Sequence, residues 1–209
     1  MRGMLTTGCL VDRKLSIEKS SACRPSYRVL SNVQISAEIQ SRARPVKLAV
    51  FDVDGVLTDG SLWFGESGET LKVFNILDGH GLRMLKEGGV ELAIISGRST
   101  RALEHRAREL GIIHVSQGVQ DKIKAFESLR DSLGLILEEI AAIGDDVVDL
   151  PILTRCGFAA CVPAAPSLVK QRVHYVTQAH GGHGAVREFC ELILQAQGKL
   201  DGQLKRYLA

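Results

Sequence analysis

The chain of 209 residues carries 26 Lys and Arg against 24 Asp and Glu, long enough for one domain with a substantial core. Its charge is uneven: residues 1–44 hold eight basic and three acidic side chains, a surplus of +5, whereas residues 45–209 hold 18 and 21, a balance of −3. Composition therefore argues against a basic nucleic-acid binder in the folded part, and no apolar run approaches the roughly 20 residues that a membrane span needs.

Residues 1–44 show no strong period and are rich in Ser and Arg. They read as a poorly ordered N-terminal extension, although the same composition is that of an organellar transit peptide. From residue 45 apolar strands alternate with amphipathic helices. Strands are predicted at 46–52, 90–96, 112–115, 139–144, 158–162 and 173–176. Helices are predicted at 79–88, 99–110, 121–134, 147–155, 166–171 and 184–197. This alternation predicts an α/β fold, a three-layer Rossmann-like parallel sheet with helices on both faces. Gly111 and Gly134 stand where helices should end, and Ser99 or Thr100 can cap the helix after Gly97-Arg98. One segment interrupts the pattern: residues 59–75 read as a β-hairpin with a Gly-containing turn, projecting over the end of the first strand. The domain is expected over 45–200, with residues 201–209 as a C-terminal tail. Five cysteines without a CxxC pair (Cys9, Cys23, Cys156, Cys161 and Cys190) argue against a disulfide framework or a zinc site and for a reducing compartment.

Four clusters of polar residues follow apolar strands or open helices. Asp52 and Asp54 end the first strand, before Gly55. Two acids at a strand's carboxyl end can hold a hard cation, and one can attack while the other handles a proton. Ser96-Gly97-Arg98 follows the apolar run 90–95, where a hydroxyl and a backbone N–H suit a phosphate oxygen. Lys122 opens a helix, and Gly144-Asp145-Asp146-Val147-Val148-Asp149 follows the run 140–143. A carboxylate nucleophile, a proton-handling acid, a lysine and further acids for a cation are the parts that phosphoryl transfer requires. Each cluster alone is weak; their order and placement together are specific.

The set Asp52-x-Asp54-Gly55-Val56, Ser96, Lys122 and Gly144-Asp145-x₃-Asp149 resembles the haloacid dehalogenase-like hydrolase superfamily, over residues 46 to about 200. The resemblance implies Asp52 as the nucleophile that becomes an aspartyl-phosphate, Asp54 as general acid and base, and Ser96, Gly97 and Lys122 as phosphate contacts. It implies Mg²⁺ held by Asp52, the Asp54 carbonyl and Asp145, with Asp146 and Asp149 supporting from behind. Longer motifs narrow it: Asp54 to Gly60, Phe74-Asn75-Ile76-Leu77-Asp78-Gly79-His80-Gly81, Asp149-Leu150-Pro151, Gly181 to Glu188 and Ala196 to Leu200 are similar to the capless 3-deoxy-D-manno-octulosonate 8-phosphate phosphatases. That family implies sugar contacts from Asn75, Ile76, Leu77, Asp78, Gly79, Arg83, Arg98 and Arg106, guanidinium groups suiting a substrate with both carboxylate and phosphate. Leu77 stands where some relatives carry a basic residue and His80 where some carry Tyr.

The spacing leaves no room for a cap domain between the clusters. The resemblance implies closure by homotetramer formation instead, and the aromatic pair Trp63-Phe64 on the hairpin agrees with a covered surface. The expected activity is hydrolysis of a sugar acid phosphate in lipopolysaccharide precursor synthesis, in the cytoplasm, with no nucleic-acid or membrane partner. A phosphatase of a related nine-carbon keto-deoxy sugar phosphate is the alternative. A phosphorylatable receiver module is opposed by the DxDG pair on the first strand, and a phosphomutase by the missing cap.

Overall fold

The structure, a computed structural model, describes residues 35–66 and 68–207. Residues 1–34, most of the expected extension, lie outside the described part. The chain then enters a helix, α1 (Ala37–Ala43), where extension was expected. Ser36 caps it by accepting the Ile39 N–H at 3.2 Å.

Strand β1 (Leu48–Phe51) follows, buried throughout. The expected hairpin is β2 (Trp63–Gly65) with β3 (Gly68–Leu71), antiparallel and shifted in register at Trp63/Phe64. Helix α2 (Ile76–Glu87) begins three residues before its predicted start. Its cap, Asn75, accepts the Leu77 N–H at 2.7 Å. The exposed Ile76 and Leu77 of its first turn break the apolar period that sequence reading relies on. The chain continues through β4 (Glu91–Ile95), α3 (Arg101–Leu110), β5 (His114–Ser116), α4 (Lys122–Leu133) and β6 (Ile140–Gly144). Thr100 caps α3, and α3 and α4 end at Gly111 and Gly134 as expected.

The helix predicted over 147–155 is two pieces, a 3₁₀ turn at Val147–Asp149 and a short α5 (Leu150–Leu153). Pro151 lacks an N–H and fits only a helix's first turn, so a helix is forced to restart there. The last elements are β7 (Phe158–Cys161), α6 (Ser167–Lys170), β8 (Tyr175–Val176), α7 (Ala185–Ala196) and, running from the expected domain end into the expected tail, α8 (Leu200–Lys205).

Six strands form one parallel sheet in the order β5-β4-β1-β6-β7-β8, and the hairpin stands apart from it. α2 packs on α7, and α1 on α7 and β7, covering one face; α4 and α5 pack on β4, β6 and β7 from the other. Phe51 meets Phe189 edge-on at 5.8 Å, and Phe189 stacks on Phe158 at 5.6 Å, joining β1, β7 and α7. Cys156, Cys161 and Cys190 are buried core residues without disulfides, and burial raises all three thiol pKa values. Among the described residues no helix is long and apolar enough to cross a membrane, and no cap domain is present between the strands. The chain runs outward from β1 to β4 and β5, then returns to place β6 on the other side of β1. The carboxyl ends of β4, β1 and β6 therefore flank a topological switch point, where open parallel sheets bind ligands.

Candidate active site

A cleft of about 670 Å³ lies at that switch point, lined among others by Asp52, Asp54, Ser96, Arg98, Lys122 and Asp145. Gly97 and Asp146 also line it. Asp52 immediately follows β1, and its N–H donates to the Ile143 carbonyl at 3.1 Å. The first residue beyond the strand thus keeps its ladder bond while its side chain turns into the cleft. Behind it the loop is stitched by buried Thr58, whose Oγ1 accepts the N–H groups of Gly55 and Gly60 at 3.4 and 3.2 Å. The Gly-rich segment near residue 182 backs this loop: Gly182 N–H donates to the Val56 carbonyl at 3.0 Å.

Lys122 Nζ lies 2.7 Å from Asp52 Oδ1 and 2.6 Å from Asp149 Oδ1, all three side chains buried. It stands at the N-terminus of α4, where the helix dipole opposes a cation. The two carboxylates outweigh both that dipole and the cost of burial. Burial works against the ammonium, but Asp52 and Asp149 hold its pKa above the ordinary lysine value. Asp149 Oδ2 in turn accepts the N–H groups of Asp145 and Asp146 at 3.1 and 3.3 Å. Asp149 therefore orients Lys122 with one oxygen and the Asp145 loop with the other. Gly144 is glycine for this reason: a Cβ there would fall 2.6 Å from Asp149 Oδ2.

Carboxylate oxygens of Asp52, Asp145 and Asp149 converge within 4.8 Å of one another. Burial, then the charges of Asp52, Asp149 and Asp146, pushes Asp145 up to about 7. Burial, then Asp149, raises Asp52 to about 6 against the pull of Lys122. Asp149 is already engaged by Lys122 and two N–H groups, which leaves Asp52 and Asp145 as the pair best able to share a cation. Hard oxygen donors of this number and charge fit a divalent metal ion. The side chain of Asp54, named as a ligand by its carbonyl only, is outside this acidic cluster and faces Lys72 and Arg98.

Other expectations meet the structure differently. Ser96 and Gly97 sit in the loop between β4 and α3, ahead of the helix as the spacing predicts. Ser96 Oγ accepts the Arg98 N–H at 3.2 Å, and Ser96 N–H donates to Ser116 across to β5. None of Asn75, Ile76, Leu77, Asp78, Gly79, Arg83 and Arg106 lines the cleft. Asn75 caps α2 and donates Nδ2 to the Gly182 carbonyl at 3.0 Å; Ile76, Leu77 and Arg83 are exposed. Gly79 is buried against Arg106, which donates to the Asn75 carbonyl at 3.2 Å and lies over Phe74. Asp78 is 1% exposed. Its carboxylate accepts the N–H groups of Gly184 and Arg187 at 3.3 and 2.8 Å, capping α7. Burial raises its pKa, against the pull of those N–H bonds.

Two residues at the site were not singled out from sequence, Glu69 and Lys72 on the hairpin arm. Lys72 bonds Asp54 Oδ1, and Glu69 Oε2 accepts from Arg98 at 2.6 Å. That hydrogen bond lowers the Glu69 pKa, with Lys72 assisting, and raises that of Arg98, with the charges of Glu69 and Asp54 assisting. Only the hairpin's spacing from the acidic pair could have hinted at them.

Residues 109–189 match the model of a family described as haloacid dehalogenase-like hydrolase. The chain is 44% identical over 167 residues to the 3-deoxy-D-manno-octulosonate 8-phosphate phosphatase of Escherichia coli, covering 80% of this chain and 89% of that one. The solved structure of the Yersinia pestis 3-deoxy-D-manno-octulosonate 8-phosphate phosphatase is 44% identical, with a TM-score of 0.79 over 80% of this chain and 91% of that one. That of the Moraxella catarrhalis phosphatase, a complex with magnesium ion, phosphate ion and KDO, is 42% identical, with a TM-score of 0.81 over 83% of this chain and 99% of that one. The chain belongs to the 3-deoxy-D-manno-octulosonate 8-phosphate phosphatase family of haloacid dehalogenase-like hydrolases.

Proposed function

We propose that this protein hydrolyses 3-deoxy-D-manno-octulosonate 8-phosphate to 3-deoxy-D-manno-octulosonate and phosphate, a step toward lipopolysaccharide precursors. The observation that carries the reading is Lys122 bridging Asp52 and Asp149 at 2.7 and 2.6 Å beside Asp145 and Asp54, in a chain of this family. An oxygen of Asp52 attacks phosphorus and forms the aspartyl-phosphate. Asp54 gives a proton to the departing sugar oxygen, then takes one from the water that cleaves the intermediate. Ser96, the Gly97 backbone, Arg98 and Lys122 hold the phosphoryl oxygens and offset their charge. Asp52, the Asp54 carbonyl and Asp145 would hold Mg²⁺, which when bound supplies further positive charge for the phosphoryl oxygens.

The hairpin and the start of α2 expose the large apolar side chains Phe64 (65%), Leu71 (61%), Val73 (62%) and Ile76 (81%) over a short run of chain. Exposed apolar side chains in such number suit a surface that a partner subunit covers, and the reading includes a homotetramer in which neighbours complete the sugar site. In this arrangement Leu77 and Arg83, exposed and outside the single-chain cleft, reach substrate only across an interface. Light scattering showing monomer alone at micromolar concentration would remove this part.

Phosphate release with Mg²⁺ across eight- and nine-carbon keto-deoxy sugar phosphates and simple hexose phosphates tests the substrate. Preference for the eight-carbon compound is expected. Preference for the nine-carbon one, or equal weak turnover of all, contradicts the assignment.

A further inference from the structure

We propose that Lys72 is the positioning residue of Asp54 and determines which of its two oxygens carries the catalytic proton. The inference rests on the phosphatase reading above, in which Asp54 is the general acid and base.

Four side chains close into a ring of alternating charge. Lys72 Nζ bonds Asp54 Oδ1 and lies 3.3 Å from Glu69 Oε1. Arg98 Nη2 lies 2.6 Å from Glu69 Oε2, and its Nε lies 3.9 Å from Asp54 Oδ2. Each carboxylate therefore has one oxygen toward the lysine and one toward the arginine. The two cations differ in surroundings. The Lys72 side chain is 3% exposed, whereas that of Arg98 is 41% exposed and lines the cleft.

That asymmetry gives the two Asp54 oxygens separate tasks. A buried ammonium cannot leave its carboxylates without large desolvation cost, so Oδ1 stays committed to Lys72. The contact at Oδ2 is long and solvent-accessible, and a substrate phosphate that draws Arg98 toward itself leaves Oδ2 facing the ester oxygen. In the first step the bond from Asp52 to phosphorus forms and the ester P–O bond breaks. The bonding pair stays on the ester oxygen, which takes the proton from Asp54 Oδ2. In the second step water gives its proton back to Oδ2 as its oxygen bonds phosphorus, and the acyl-phosphate bond breaks to restore the Asp52 carboxylate. Lys72 takes no part in either transfer. It prevents the carboxylate from rotating, and an ångström of misplacement at a reacting group costs about 100-fold in rate. A purely structural anchor for the hairpin would affect all substrates alike. A positioning residue for the acid matters most where the leaving group needs a proton.

The test is kcat and KM of the full chain with Mg²⁺ for phosphate monoesters ranging from p-nitrophenyl phosphate to alkyl and sugar phosphates. Lys72→Met is expected to lower kcat/KM, which reports the steps up to release of the alcohol, about 100-fold on alkyl esters and less than about fivefold on p-nitrophenyl phosphate, while breakdown of the aspartyl-phosphate, common to all esters, slows kcat for each. In an Asp54→Asn background the same substitution should cost nothing further on the alkyl esters. Lys72→Gln, neutral but polar, serves if Lys72→Met melts below the assay temperature, and about a tenfold bias of the same kind is expected. Equal loss of kcat/KM on all esters, or no loss, overturns the inference while leaving the phosphatase reading intact. A wild-type chain that cleaves none of the esters overturns both.

Discussion

Gly55 packs against Asp145 so closely that a Cβ on Gly55 would stand 2.1 Å from Asp145 Oδ2. The backbone at Gly55 also has φ +85°, a conformation that costs other residues roughly 1–2 kcal/mol. The glycine after the acidic pair thus lets β1's loop approach Asp145 on β6's loop as closely as the proposed cation site requires. Gly55→Ala should displace Asp145, weaken metal binding and lower kcat/KM by about 10–100-fold. Magnesium titration of activity checks this, since the loss should shrink as Mg²⁺ is raised.

Removal of Lys122 has two separable consequences. Lys122→Met leaves Asp52 and Asp149 buried without their shared cation, a change of the kind that costs about 3–5 kcal/mol. It also removes charge opposite the phosphoryl oxygens, so kcat should fall by about 10²–10³. Urea denaturation gives the first quantity and phosphate release the second.

Asp78 tests whether its motif acts through packing or through substrate. Its carboxylate holds the N-terminus of α7, so Asp78→Ala should cost about 1.5–3 kcal/mol of stability. KM for the sugar phosphate, measured well below the melting temperature, should be nearly unchanged. A large rise in KM with unchanged stability would return Asp78 to the substrate site.

The acidic cluster makes metal-free stability depend on pH. Asp145 and Asp52 are raised to about 7 and about 6, above the ordinary carboxylate value near 4. Between those limits the folded state binds more protons than the unfolded state, so stability falls as pH rises. The contribution is fully present below about pH 4 and is lost as pH rises through about 7. Mg²⁺ binding requires the ionised acids and reverses that loss. In melts with EDTA this cluster's contribution should lower Tm from pH 5 to pH 8. Added Mg²⁺ should raise Tm at pH 8 and hardly at pH 5. A chelator should also abolish turnover.

The parallel sheet was legible because each strand is an apolar run followed by polar residues at its carboxyl end, as at Val50-Phe51-Asp52 and Ile143-Gly144-Asp145. The same rule located Asp52, Ser96, Lys122 and Asp145, whose convergence needs only the strand order. Helix α1 was hidden because seven residues in an Arg- and Ser-rich stretch bury only Ala43 fully, too little to show a period. The early start of α2 was hidden because Asn75 caps two exposed apolar residues. Lys72 was invisible for a different reason: its partner Asp54 is 18 residues away, and only the hairpin's path joins them. Asp78, read as a sugar contact, bonds backbone more than 100 residues further on, a tertiary relation that local motifs do not encode.

The central claim is that Asp52 attacks the phosphoryl group of 3-deoxy-D-manno-octulosonate 8-phosphate. It is tested most directly by steady-state phosphate release from that compound with saturating Mg²⁺, for the wild-type chain and Asp52→Asn side by side. The account predicts rapid release by the wild type and none above background by a folded Asp52→Asn. Substantial release by Asp52→Asn would contradict it.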